Sequence, residues 1–436
     1  MFQRPRGTRD FLPGEMRVRR RVLSRITEVF ESYGYGEVLT PAFEHLELLE
    51  AKAGPEIKEQ IYWFEDKAGR RLGLRFELTT PIARIVASRP ELPKPIRLYY
   101  VAPVWRYEEP QRGRLREFWQ AGVELIGAST VDADAETAVV MYRALEAAGL
   151  DGLRVRVNSR RIADGLARRS GVPAGLLDEF YRIVDKLEKQ GAEAVASGLR
   201  GLGLGEDAVD WVLRFITFEA DKWDKLDYAA GQLGGEAAEE AGRLRRFLEL
   251  LIDGYGVPEE GVEVDLSIVR GIGYYTGIVY EASAAGAEDV GSLAGGGRYD
   301  DLIRIVGGPP TPATGMAIGV ERVIEALVSK GAVKMEEFPP QARVMVVSTE
   351  SGLAVEAVKT AEKLRRAGVA VAVEVMGRSI RAAMSHANRS GVKYVVIVGR
   401  RELEKRCVSV KDMEKGVQRE VPVGELVEAV VSGLRS

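Results

Sequence analysis

Apolar and polar positions follow two different periods along this chain, and each change of period marks an element. Val18, Val22, Ile26, Val29/Phe30 and Tyr33 make one apolar stripe at helical spacing, which predicts a helix from Gly14 that Gly34-Tyr35-Gly36 stops. Glu37 to Thr40 reads as a short strand ended by Pro41. Tyr62–Asp66 and Leu72–Leu78 flank the turn Lys67-Ala68-Gly69-Arg70 as a hairpin. A helix follows from Pro81 to about Ser88, with Pro81 in its first turn and Thr80 as candidate cap. The longest signal is a second hairpin. Ile96–Glu108 is rich in aliphatic and aromatic residues, Pro110-Gln111-Arg112-Gly113 turns the chain, and Glu117–Ile126 returns. Gln120, Gly122 and Glu124 share parity on the returning strand, so one face carries polar groups around a gap that suits a ligand.

Beyond it, residues 132–148 read as a helix and Leu153–Asn158 as a strand. The texture then turns helical to Gly256, and residues 165–255 read as a helical insertion. The charge balance of that insertion does not demand contact with RNA. Strand character returns at Val262, at Val264–Val269 and at Ile278–Glu281. Past a proline-marked linker at 336–341, strands at Val344–Val347, Val369–Val375 and Tyr394–Val398 alternate with helices at 353–366 and 379–389. That alternation predicts a mostly parallel sheet, and Val408–Val421 adds a hairpin around Lys415-Gly416.

Composition narrows the classes. At 436 residues, two or three domains are expected, and 46% hydrophobic with 29% charged residues describes a soluble globular protein. Net charge is −3, so a nucleic-acid partner must be held by local patches such as Arg112/Arg114/Arg116 or Arg400/Arg401 with Lys405/Arg406. One cysteine, Cys407, excludes a disulfide framework and a cysteine zinc site. Two distant histidines, His45 and His386, weigh against a histidine-ligated metal or a histidine base. No run approaches a membrane span and no signal-peptide core opens the chain, so a cytoplasmic location without membrane contact is expected. The glycines before Arg298 lack phosphate-loop spacing, and Gly-x-Gly-x-x-Gly is missing.

The residues themselves then carry a resemblance. Arg106-x-Glu108, the loop Arg114-x-Arg116-x-Phe118 and Gln120-x-Gly122-x-Glu124 resemble motif 2 of the class II aminoacyl-tRNA synthetases. The wording from Trp105 to Phe118 is similar to the histidyl-tRNA synthetase family in particular. The opening helix, strand and Pro41 resemble motif 1, which forms the dimer interface in that class. Ala313–Gly319 followed by Glu321-Arg322 and a helix resembles motif 3. Arg75-x-Glu77-x-Thr79, Arg270-Gly271-Ile272-Gly273-Tyr274-Tyr275 and Gly296-Gly297-Arg298-Tyr299-Asp300 match histidyl-specific segments. Gly273 departs from them, since the family usually has Asp there. The C-terminal pattern resembles the anticodon-binding domain shared with the glycyl, threonyl and prolyl enzymes.

The resemblance implies an α+β fold: a class II antiparallel sheet with flanking helices over 1–335, the insertion within it, and an anticodon-binding α/β domain over 342–436. It implies ligation of L-histidine to tRNA-His with ATP and Mg2+, no protein-ligated metal, and a homodimer. Glu77, Leu78, Thr79, Gln120, Glu124, Arg270, Tyr274, Tyr275 and Tyr299 would bind histidine. Arg106, Glu108, Arg114, Arg116 and Arg322 would bind ATP, Arg270 and Arg106 would be catalytic, and Gln111 and Arg112 would meet the tRNA acceptor end. Two alternatives stand beside it: the non-catalytic regulatory subunit of ATP phosphoribosyltransferase, and a class II enzyme for another amino acid. Arg270, the complete motif 2 loop and the C-terminal domain argue against the first. Glu124 and the Tyr274-Tyr275 pair speak for histidine.

Overall fold

The computed structural model describes residues 2–51, 55–109, 115–269, 274–336 and 340–435. By internal contacts the chain falls into two compact units. One is Met1–Asp10 with Arg17–Lys334, and the other is Phe11–Met16 with Met335–Ser436.

In the first unit the strands are β1 (Gly36–Glu37), β2 (Phe43–His45), β3 (Trp63–Glu65), β4 (Arg71–Leu74), β5 (Ile96–Trp105) and β6 (Glu117–Ile126). They continue with β7 (Leu153–Ser159), β8 (Val262–Val264), β9 (Ile278–Ala284), β10 (Ala294–Arg298) and β11 (Ala313–Gly319). Eight of them form one sheet in the order β1-β5-β6-β11-β10-β9-β7-β8, antiparallel except for the β1–β5 and β7–β8 edge pairs. The class II architecture expected from the sequence is thus present. The opening helix is Pro13–Ser32, and its stripe Val22, Ile26 and Phe30 is buried in the main core, as the period required.

Three local expectations are corrected. The strand before Pro41 pairs only over Gly36–Glu37, with one further bond from Val38 N–H to the Tyr99 carbonyl. Past that point the buried Arg75 guanidinium takes the carbonyls of Thr40 (2.6 Å) and Pro41 (3.1 Å), which withdraws them from any ladder. The strand expected to reach Leu78 ends at Leu74 for a related reason. Arg75 exchanges its main-chain bonds with Ala42 and Trp105, which turns the chain out of the small β2-β4-β3 sheet. The following helix starts at Thr79, not Pro81, and Thr80 does not cap it. The Glu77 carboxylate accepts the amide hydrogens of Thr79 (2.5 Å) and Thr80 (3.0 Å). A side-chain anion facing exposed helix N–H groups is the usual N-terminal cap, supplied here from two residues upstream.

The helical segment expected as an insertion over 165–255 starts at Arg160, directly after β7, and runs to Gly254. Phe180, Leu199, Val209, Phe215 and Phe247 join the same buried cluster as Val155, Val157 and Tyr280 of the sheet. It therefore shares the sheet's core and has no separate one.

In the second unit, β12 (Val344–Ser348), β13 (Val371–Val373), β14 (Tyr394–Val398), β15 (Cys407–Asp412) and β16 (Gln418–Pro422) stand in the order β13-β12-β14-β15-β16. The first three are mutually parallel and the last two antiparallel. Period two splits β12 between two cores. Val344 and Val346 pack with the helix Ala354–Arg366, while Met345 and Val347 pack with Ile380–Arg389. The terminal helix Leu426–Arg435 was not read from the sequence. It adds Leu426 and Val430 to the first of these cores.

Candidate active site

A cavity of about 900 Å3 opens over the middle of the large sheet. Its floor is a matter of register. Gln120, Gly122 and Glu124 face Ala102, Tyr100 and Leu98 on β5, and Gly319, Ala317 and Gly315 on β11. Two glycines make room. A Cβ on Gly315 would lie 1.8 Å from Glu124 Oε2, and one on Gly122 would lie 2.5 Å from the Tyr100 hydroxyl. Any side chain at either place would push the polar row out of line.

The deep end is a buried cluster of acids and hydroxyls. Thr79 Oγ1 donates to Glu124 Oε1 at 2.6 Å, and the Tyr299 hydroxyl donates to Glu124 Oε2. Burial pushes the Glu124 carboxyl up to about 8, nearby Glu77 adds to that, and the two hydroxyl donors oppose it. Burial also raises Glu77, against the hydrogen bonds from Thr80 and Thr79. The hydroxyls of Tyr100, Tyr274 and Tyr299 are pushed well above their ordinary range, chiefly by burial, so they stay protonated donors. Tyr274 packs edge-on to Tyr299 with centroids 5.6 Å apart, and lies 5.0 Å from Tyr275. Gln120 Oε1 is buried and accepts no hydrogen bond from the described residues. The pocket thus offers acceptors to a small ligand that brings several N–H groups.

Two arginines, Arg106 and Arg322, stand on the cavity wall among the acids Glu59, Glu108, Glu109 and Glu321. Arg106 donates to the Phe76 carbonyl at 3.0 Å, lies over the Phe118 ring at 5.2 Å and stands 3.9 Å from Glu108. Arg322, in the first turn of the helix Val320–Ser329, donates to the Ser292 carbonyl. Its neighbour Glu321 accepts the Trp119 amide at 2.8 Å and pairs with buried Arg19 at 2.7 Å, which fastens that helix to β6. A planar guanidinium at each side suits a polyphosphate.

The structure brings together on the cavity wall Glu77, Thr79, Arg106, Glu108, Gln120, Tyr274, Tyr275, Tyr299 and Arg322 of the residues singled out from sequence, with Glu124 directly beneath Thr79 and Tyr299. Two are placed elsewhere. Leu78 is buried in the apolar cluster behind the site with Ile82 and Val104. Arg116 is 9% exposed, lies 4.0 Å from the Tyr107 ring and donates to the Glu108 carbonyl, so it braces the wall without lining it. Gln111, Arg112, Arg114, Arg270 and Gly273 lie outside the described residues. Sequence reasoning missed Tyr100, and it took Phe118 as motif wording without a role in the site; both are on the wall. The signal for Tyr100 was an aromatic residue opposite a strand glycine, which only the register reveals. Among the described residues no group of three or more His, Cys, Asp or Glu side chains is placed to hold a metal ion.

A family model described as Histidyl-tRNA synthetase matches residues 7–323, and one described as Anticodon binding domain matches residues 341–432. Over its whole length the chain is 42% identical to a histidine–tRNA ligase of Pyrococcus furiosus, with all of both chains covered. It is 39% identical to that of Pyrobaculum aerophilum, with 98% of each covered. Among solved structures, the histidyl-tRNA synthetase of Nostoc sp. PCC 7120 matches with a TM-score of 0.82 at 29% identity, over 99% of each chain. An ATP phosphoribosyltransferase regulatory subunit/histidyl-tRNA synthetase from Bacillus halodurans matches with a TM-score of 0.76 at 27% identity, over 92% of this chain and 98% of that one.

Proposed function

The chain belongs to the histidyl-tRNA synthetase family, and from that premise we propose how its cavity divides the work. The activity is histidine–tRNA ligation: L-histidine and ATP give histidyl-adenylate and pyrophosphate, and the histidyl group then passes to the 3′ end of tRNA-His. The regulatory-subunit alternative is not favoured, because full-length curated relatives are ligases.

Histidine takes the deep end. Its ammonium group meets Glu77, the Thr79 hydroxyl and Gln120, while its imidazole reaches Glu124 between Thr79 and Tyr299. Tyr274 and Tyr275 form the wall, and Leu78 supports the site from behind. ATP would be bound as its magnesium complex, which would supply charge neutralisation to the phosphates, and Glu108 is the carboxylate that would face it. Arg106 holds the α-phosphate and Arg322 the nucleotide. Arg116 acts through Tyr107 and the Glu108 main chain. Arg114 and Arg270 are assigned by resemblance, as are Gln111 and Arg112 at the tRNA acceptor end. A carboxylate oxygen of histidine attacks the α-phosphorus, the new P–O bond forms, and pyrophosphate leaves with the electrons of the broken one. Two anions must meet, so the chain's contribution is positioning and fixed positive charge. By resemblance Arg270 is the cation assigned to that task.

Residues 1–335 serve activation and transfer, and 342–436, joined by 336–341, serve the anticodon. Exposed Leu39, with exposed Phe43 and Trp63 of the small β2-β4-β3 sheet, supports pairing of two copies. Among the described residues no helix is long and apolar enough to cross a membrane, and the cytoplasm is the compartment proposed. The observation that carries the histidine assignment is the buried acceptor row of Glu77, Gln120 and Glu124 under two hydroxyl donors. The test is ATP–pyrophosphate exchange with each of the twenty amino acids. Exchange driven by histidine alone is expected, and exchange driven equally by another amino acid would refute the assignment.

A further inference from the structure

Residues 4–9, Arg-Pro-Arg-Gly-Thr-Arg, are not used by the chemistry described above, yet they are fastened to its entrance. Pro5 to Thr8 form a tight turn: the Thr8 amide and hydroxyl both donate to the Pro5 carbonyl, at 3.2 and 2.8 Å, and Gly7 has φ +82°. The Gly7 carbonyl then accepts the Arg116 amide at 2.8 Å. Arg116 N–H belongs to the segment that enters β6, so this one bond fixes the turn against the strand that carries Gln120 and Glu124. One residue earlier, Arg6 pairs with Glu109 at 2.8 Å, and Glu109 lines the cavity. The turn is therefore held at the cavity rim by two contacts on opposite arms of the central hairpin.

Its charge does not follow from this fastening. Arg4, Arg6 and Arg9 are exposed, with one acid, Asp10, among residues 2–10. The pair Arg4–Asp10 is loose, at 4.0 Å between side chains 60% and 84% exposed. Arg6–Glu109 is also open to water at 72% and 71% exposure. Exposed pairs of this kind hold weakly and exchange readily for a better anion. Phosphate is a better anion for an arginine fork than a single carboxylate. The chain carries a net charge of −3, so no general attraction draws a polyanion here, and cations at the rim must do it locally. ATP is one source of phosphate at this mouth and the 3′ end of the tRNA is the other. Arg106 and Arg322 already lie on the wall where the nucleotide enters, whereas Arg4 and Arg9 stand outside the cavity. The position thus favours the backbone that reaches in from solvent.

We propose that Arg4–Arg9 is a phosphate-binding strap, held against the motif 2 hairpin by the Gly7–Arg116 bond, that guides the single-stranded 3′ end of tRNA into the cavity. The proposal rests on the tRNA-charging reading above, and it assigns that reading a contact surface. The strap does not touch the reacting atoms, so activation proceeds without it.

The test uses the full-length chain carrying R4Q, R6Q and R9Q together, assayed for pyrophosphate exchange and for tRNA charging between 50 and 200 mM salt. Exchange should keep its kcat and its KM for ATP and histidine. Each lost single-strand phosphate contact removes about 0.7 from the slope of log affinity against log salt, so three remove about 2. Over that fourfold range wild-type kcat/KM for tRNA should fall about 20-fold further than that of the variant. The lysine variant R6K, in an otherwise wild-type chain, should retain most of the wild-type slope. An unaltered slope and tRNA KM in the triple variant would overturn the strap. A matching loss of exchange would also overturn it, by showing that the segment serves ATP or the fold. Wild-type protein that exchanges but charges no tRNA would instead overturn the ligase reading on which the strap depends.

Discussion

Replacing Glu124 by glutamine keeps the side chain's shape and removes its capacity to become an anion. Both carboxylate oxygens accept hydroxyl hydrogens, from Thr79 and Tyr299, and either hydroxyl can rotate to accept from an amide, so the fold has a way to accommodate the change. The carboxyl titrates near 4.5 in an unfolded chain and at about 8 when buried here. The folded value is the higher one. Stability from this group is therefore fully present below about pH 4.5 and is lost as pH rises through 8. Between pH 7 and 9 wild type should lose about 1.4 kcal/mol through Glu124 alone, and Glu124→Gln should not. Urea unfolding of the two proteins across that range, taken as a difference, isolates the group. At pH 9, where the carboxyl is ionised, the same substitution removes a hydrogen bond to a charged acceptor, worth about 1.5–3 kcal/mol, so histidine kcat/KM should fall there roughly tenfold to a hundredfold or more. The KM for ATP should be unchanged. A variant with wild-type histidine kinetics would end the selectivity argument. Parallel pH-dependence of the two stabilities would show that Glu124 is not a desolvated acid.

Other substitutions probe the supports of the site. Gly315→Ala places a methyl 1.8 Å from Glu124 Oε2, so histidine KM should rise at least tenfold at constant ATP KM; normal histidine KM would mean the floor yields freely. Arg298 pairs with buried Asp134 at 2.9 Å and also donates to the carbonyls of Ala128 and Thr130, turned away from the cavity. Arg298→Ala should cost about 3–5 kcal/mol in urea unfolding by stranding a buried acid, and a loss under 1 kcal/mol would refute that. Arg270→His should cut exchange by about 10²–10³ in kcat while changing either KM far less, and near-normal exchange would remove Arg270 from the reaction.

Much of this protein was legible before its fold because the relevant information is local. Residue spacing gave the helix Pro13–Ser32, the hairpin of β5 and β6, the shared parity of Gln120 and Glu124, and the alternating pattern of the C-terminal unit. Motif wording pointed to the candidate site, including Tyr299, whose hydroxyl meets Glu124 across 175 residues of sequence. Periodicity reports which side of an element faces the core, and that suffices to order elements and to group residues on one face.

What stayed hidden depended on contacts between distant segments. Glu77 reads from sequence as a ligand-binding acid, and the fold makes it also the cap of the helix it precedes, because Arg75 bends the chain early. Arg116 looks like another phosphate ligand within its loop, until packing against Tyr107 turns it into a brace. The insertion has its own helical texture but no core of its own, since its apolar faces close over β7 and β9. Tyr100 enters the site only because β5 sets it opposite Gly122, and Glu124 is a weak acid only because β11 supplies a glycine that lets the sheet close around it. Strand register and desolvation are properties of the assembled sheet. No single segment encodes them, because each is set by which residue of another strand arrives alongside.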